Sequence, residues 1–166
     1  MKHFKSYLLS GCVLFLLTGC PIGLDYPLGY KNEVENDPKY YGTWKTDDTE
    51  ETILSFRMSK KTSGTMHVEV TEYDDMFSLA TTIFTGWTVR LGGMDFLCFE
   101  ENEVQGNFYH YVVIELNDNL LKVCDMALLH GGADAVNSQE SLRKEVLSSM
   151  KKPEFLASPI TYTKVR

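Results

Sequence analysis

Thr65-Met66-His67-Val68-Glu69-Val70-Thr71 decides the fold class. Met66, Val68 and Val70 alternate with polar neighbours, and a side-chain period of two marks a strand with one face on a core and the other in water. The same period extends on both sides. Upstream, Ile53, Ser55 and Arg57 alternate with Leu54, Phe56 and Met58. Downstream, residues 77–91 are rich in Thr, Phe, Ile and Val, with Gly86 expected at a bend or bulge. Further strands are expected over 95–100, Phe108–Leu116 and 120–126. Asn117-Asp118-Asn119 between the last two is hairpin chemistry, because Asn and Asp tolerate positive φ. Glu100-Glu101-Asn102-Glu103 and Gly106-Asn107 separate another pair. This spacing suits an antiparallel meander.

One helix interrupts the pattern. Asn137 is expected to cap it with Glu140 reaching back, and Leu142, Val146, Leu147 and Met150 fall on one face. Arg143, Lys144, Glu145 and Ser148 then face water. Lys151 and Lys152 suit the negative end of the dipole, Pro153 stops the helix, and a last strand is expected at Ile160–Val165. About eight strands with a late helix predict a mostly β domain over residues 40–166. It is expected to close into a barrel, since closure removes exposed edges. Gly42-Thr43-Trp44 on the first strand resembles the Gly-x-Trp signature of lipocalins and related barrels. The resemblance implies that Trp44 plugs one end of the barrel and that a basic residue covers it, Lys164 or Arg166. The family's second signature, a Thr-Asp pair before a later strand, is not found there, because Thr46-Asp47 lies too close to the tryptophan.

Length and charge narrow the function. The chain has 166 residues, 43 % apolar and 23 % charged, as in one ordinary globular domain with its targeting segment. Residues 1–19 carry a basic start at Lys2, His3 and Lys5 and an apolar core over 7–17, too short for the roughly 20 residues of a membrane-spanning helix. Leu17-Thr18-Gly19-Cys20 resembles the lipobox of bacterial lipoproteins. That resemblance implies cleavage before Cys20, a diacylglyceryl group on its thiol and stable membrane attachment through the acyl chains. Pro21 stands where relatives retained at the inner membrane carry Asp, so the outer membrane is expected if the organism is Gram-negative. The whole chain is similar to small uncharacterised bacterial lipoproteins, a likeness that implies no activity.

Without residues 1–19 the chain keeps 23 acidic residues and loses Lys2 and Lys5 from its 16 basic ones, a net charge of −9. Nucleic acid is therefore not an expected partner. Residues 20–39 hold Pro21, Gly23, Pro27, Gly29 and Pro38. They read as the lipidated cysteine and a tether with a coil-like span of about 25 Å, the alternative being a segment packed on the domain through Tyr26, Leu28 and Tyr30.

Candidate sites are few. A third strand separates the strands of Cys98 and Cys124, about 10 Å in all, so two half-buried thiols are expected rather than a disulfide. His67 falls on a polar face, His110 between Phe108 and Val112 on an apolar one, and His130 in a loop; their spacing matches no zinc pattern. Glu100, Glu101 and Glu103 lack the ligand spacing of a calcium loop. No catalytic motif is present, and the expectation is no enzyme and no cofactor. The sharper hypothesis lies with Phe84, Trp87, Phe96, Phe108 and Tyr111. They either line a cavity for a small apolar ligand or fill a solid core, the latter favoured by the small domain. A lipid-anchored ligand-binding module and an envelope protein-interaction module are thus the leading readings, with an enzyme last.

Overall fold

The computed structural model describes residues 23–46, 53–61, 64–73 and 79–165. The expected signal peptide over 1–19, the lipobox Cys20, Pro21 and Arg166 lie outside them.

Strands β1 (Gly42–Lys45), β2 (Ile53–Lys60), β3 (Met66–Tyr73), β4 (Leu79–Leu91), β5 (Met94–Glu101), β6 (Phe108–Leu116), β7 (Leu120–Asp125) and β8 (Ile160–Val165) each pair antiparallel with the next. β8 closes on β1 through Thr43↔Val165 and Trp44↔Lys164. The result is the closed eight-stranded meander that the period-two pattern predicts. Helix α1 (Gln139–Ser149) precedes the last strand, as expected. The outer faces of β2 and β3 carry Arg57, His67 and Glu69, with Arg57 paired to Glu69 at 2.6 Å. That is the reverse of the apolar-out band of a membrane-spanning barrel.

The wall carries two cores. Inside it, Phe56, Met58, Met66, Val68, Val70, Leu97, Phe99 and Tyr111 pack with Trp44, Leu121, Val123 and Tyr162. Outside β4–β7, Trp87, Val89, Phe96, Cys98, Val112 and Cys124 form a second core, covered by Leu24 and Leu28 and by Leu142 and Val146 of α1. β4 and β5 are therefore buried on both faces in their middle, which explains why their sequences are apolar in runs.

Residues 23–36 are a strap bound to this outer face. Leu24 exchanges backbone hydrogen bonds with Phe108, 2.9 Å in each direction. The backbone around Leu28 is satisfied by side chains: His110 Nε2 accepts from Leu28 N–H at 3.0 Å, and Arg143 donates to its carbonyl at 2.8 Å. Trp87 Nε1 donates to the Gly29 carbonyl at 3.0 Å. Asn36 accepts from the Thr88 N–H and hydroxyl, both at 2.9 Å, so its carboxamide stands in where β4 runs past the start of β3. Tyr30, expected to help, is exposed instead.

Four local expectations are corrected. Gly86 makes no bulge, and β4 keeps unbroken register with both neighbours there. Its missing side chain makes room, since a Cβ would lie 3.0 Å from Phe99 Cδ1 and from Val68 Cγ2. The 117–119 turn uses no positive φ; the Asn117 side chain closes it by accepting from the N–H groups of Asn119 and Leu120 at 3.0 and 2.9 Å. The cap of α1 is Ser138, reciprocally bonded to Ser141, and the Asn137 N–H also donates to Ser141 Oγ at 2.9 Å, so Ser141 takes the place expected of Glu140. Glu145, expected to face water, is buried and accepts from the N–H groups of His130 and Gly131 at 2.8 and 2.9 Å and from Ser149 Oγ at 3.2 Å. Burial works to raise its carboxyl, but the Gly131, His130 and Ser149 donors outweigh that and hold it below the ordinary glutamate range. It pins the 127–132 stretch to α1. No helix among the described residues is long and apolar enough to cross a membrane.

Candidate functional site

One end of the barrel is plugged. Trp44 is fully buried, and its Nε1 donates to the Tyr40 carbonyl at 2.8 Å, closing over a 3-10 turn at Pro38–Tyr40. Lys164, its cross-strand partner, covers the indole with Nζ 4.8 Å from the ring centroid and donates to the Lys39 carbonyl at 2.8 Å. Of the two basic candidates, Lys164 thus takes the place expected from the Gly-x-Trp resemblance. Gly42 makes this approach possible: its φ is +139°, and a Cβ would sit 2.6 Å from Lys164 Cε.

Among the described residues the other end is uncovered, and a cavity of about 250 Å³ lies beneath it. It is built by alternation. Every second residue of β2–β8 turns inward, and register brings Val70 beside Thr82, Phe84 beside Glu101, and Leu97 beside Tyr111. Six aromatic side chains contribute to the lining: Phe56, Phe84, Phe99, Tyr109, Tyr111 and Tyr162. Phe84 meets Tyr109 edge-on at 5.7 Å, Phe99 tilts against Tyr111 at 5.6 Å, and Phe56 meets Tyr162 edge-on at 4.8 Å. Such edge contacts fix ring orientations. The lining also includes Glu72 and Glu101 and, among the described residues, contains no Lys, Arg or His. Asn107 joins two of these positions, donating from Nδ2 to Glu101 Oε2 at 3.0 Å and to Tyr109 Oη at 2.8 Å.

The five aromatic residues singled out from sequence divide between the two cores. Phe84 and Tyr111 line the cavity. Trp87, Phe96 and Phe108 lie across the wall, in or against the outer core beneath the strap and α1, so they do not meet the first two around one ligand. The reason is parity: each is one residue out of step with the inward positions of its strand. Sequence reasoning did not single out Phe56, Phe99, Tyr109 and Tyr162 for the site.

Cys98 and Cys124 are both free thiols, fully rather than half buried, with β6 between their strands. Cys98 lies opposite His110 in register on the outer-core face rather than inside the barrel. Burial pushes the Cys98 thiol far up and the Cys124 thiol to about 11, and lowers His110 to about 3. Both members of the Cys98–His110 pair are thereby held neutral, the opposite of an activated thiolate. Among the described residues His110 Nδ1 has no hydrogen-bond partner. His67 sits 3.3 Å from Glu69 on the outer surface. Among the described residues no three His, Cys, Asp or Glu side chains come together as metal ligands.

A wider groove of about 900 Å³ runs between Val34–Pro38 and the ends of β4–β6. It is open to solvent, and its one arginine, Arg90, is already paired with Asp95 at 2.7 Å. No protein-family model, curated protein or solved structure matches this chain.

Proposed function

We propose that the chain is a cell-envelope lipoprotein, anchored through Cys20, whose barrel holds a small ligand with an apolar body in the cavity beneath its open mouth. A single observation carries the binding half of this reading: a ring of six aromatic side chains around an unfilled space, closed below by the Trp44 plug. A barrel of eight strands has room for one small ligand. The anchoring half rests on the sequence, namely the basic start, the short apolar core and Leu17-Thr18-Gly19-Cys20. The outer membrane is the favoured address in a Gram-negative cell. Catalysis forms no part of the proposal, because the Cys98–His110 pair is buried away from the cavity and neutral.

A second reading, an envelope interaction module with an essentially filled barrel, draws on one number. The cavity of about 250 Å³ falls just short of the ~300 Å³ at which ligand pockets commonly begin. Native mass spectrometry of the lipoprotein extracted from its own membrane separates the two. A small molecule released on activation supports the ligand reading, whereas ligand-free protein throughout favours the interaction module. Cys20→Ser tests the anchor: it should abolish incorporation of radioactive fatty acid, and equal labelling of both proteins would defeat the lipoprotein assignment.

A further inference from the structure

The chemistry of the cavity goes further than its shape. Its lining residues carry two carboxylates, Glu72 and Glu101, and three phenols, Tyr109, Tyr111 and Tyr162, with no cationic side chain among them. Lys164, at the plugged end, has its ammonium on Trp44 and the Lys39 carbonyl. An aromatic ring presents a negative face and a positive edge, and a cation seated on that face gains more when it is shielded from water. Carboxylates beside such rings add a field of the same sign. Resting on the ligand-binding reading above, we propose that the barrel cavity selects a small organic cation, an ammonium or quaternary ammonium group attached to an apolar body.

Three observations converge on this class. Phe84, Phe99 and Tyr109 are fixed against one another by mutual ring contacts near the rim, so an aromatic wall stands ready without reorganisation. Glu101 lies in that wall in register with Phe84, and Asn107 holds one of its oxygens in place. Acidic groups also surround the inner wall: burial raises the Tyr111 phenol well above its ordinary range, and Asp125, the neighbouring phenols of Tyr162 and Tyr109, and Glu72 add to that rise. An anion entering this space meets carboxylates of like charge, whereas a neutral apolar molecule gains only the burial of its surface. The net charge of −9 without residues 1–19 favours the approach of cations at long range.

The test uses three probes of one shape class on the purified protein: benzyltrimethylammonium, its neutral carbon isostere neopentylbenzene, and benzenesulfonate. Affinity is measured by titration calorimetry, with the aromatic resonances of Phe84, Phe99 and Tyr109 followed by NMR to locate the site. The ammonium should bind about tenfold or more tightly than the isostere, with shifts at those rings, and benzenesulfonate should not bind. Raising the ionic strength should weaken the ammonium severalfold and leave the isostere unchanged, a readout that needs no variant. Glu72→Gln and Glu101→Gln should each lower the ratio of ammonium to isostere affinity severalfold. Equal or tighter binding of the neutral isostere would overturn the cation selectivity and leave the apolar-ligand reading standing. Failure of all three probes to shift the lining rings would overturn both.

Discussion

At the scale of single residues, two buried side chains set the sharpest expectations. Trp44 combines complete burial with a hydrogen bond to Tyr40 and a cationic cover from Lys164. Trp44→Ala should therefore lower stability by about 3–5 kcal/mol, the usual cost of emptying a large aromatic site. A urea midpoint unchanged within error would show that the plug is dispensable. His110 predicts a pH dependence. Burial lowers its folded-state value to about 3 from an ordinary 6.5, with Nε2 occupied by the Leu28 N–H. The unfolded chain therefore binds the proton first on acidification. Its stabilising contribution is complete above about pH 6.5 and is lost progressively as pH falls towards 3. His110→Gln retains an acceptor but cannot titrate. Between pH 7 and 4, wild type should lose roughly 2–3 kcal/mol more than this variant. Parallel pH profiles would mean that His110 titrates freely. The comparison cancels groups common to both proteins, Glu145 and Asp125 among them.

At the scale of elements, alternation was legible and double-sided burial was not. Met66, Val68 and Val70 announce which face of β3 is inward because their partners are polar. In β4 and β5 both parities are apolar, so nothing in Trp87, Phe96 or Phe84 says which side of the wall each will take. That choice depends on the strap and α1, which bury the outer face from far away in sequence. The strap itself is nearly silent as text: Leu24 and Leu28 are isolated among Pro and Gly, and their hydrogen-bond partners lie more than 50 residues downstream. α1 was visible by its period, yet burial of Glu145 was not, because its partners are backbone N–H groups of a loop. A strap that docks through one fully buried leucine should be sensitive to its loss. Leu28→Ala is expected to cost about 2–5 kcal/mol and to speed hydrogen exchange at Leu24 and Phe108, which bridge each other. Unaltered exchange at those two amides would mean that the strap is held elsewhere along its length.

At the scale of the whole molecule, the strap ties the proposed anchor to the cavity. Gly23 sits against Asn107, where a Cβ would run into the carboxamide, and Asn107 is bonded to the cavity residues Glu101 and Tyr109. The described chain thus begins at the open rim rather than at the Trp44 plug. Cys20 is three residue steps before Gly23, a reach of at most about 10 Å when fully extended. A lipid on Cys20 would therefore hold the mouth close to the bilayer surface, in place of the free coil of about 25 Å that a tether over 21–39 would supply. A ligand with an apolar body would then enter from the membrane side. The expected orientation can be measured, because the native thiols are buried and leave an introduced cysteine as the reactive one. Glu103→Cys places a fluorophore on the β5–β6 turn at the mouth, and Asp118→Cys places one on the β6–β7 turn at the opposite end, both at exposed positions. In lipidated protein reconstituted into vesicles with headgroup-spin-labelled lipid, the probe at 103 should be quenched strongly and the probe at 118 weakly. Equal quenching would mean that the barrel tumbles freely on its anchor. The reverse order would mean that the mouth faces away from the membrane, with ligand arriving from the aqueous side.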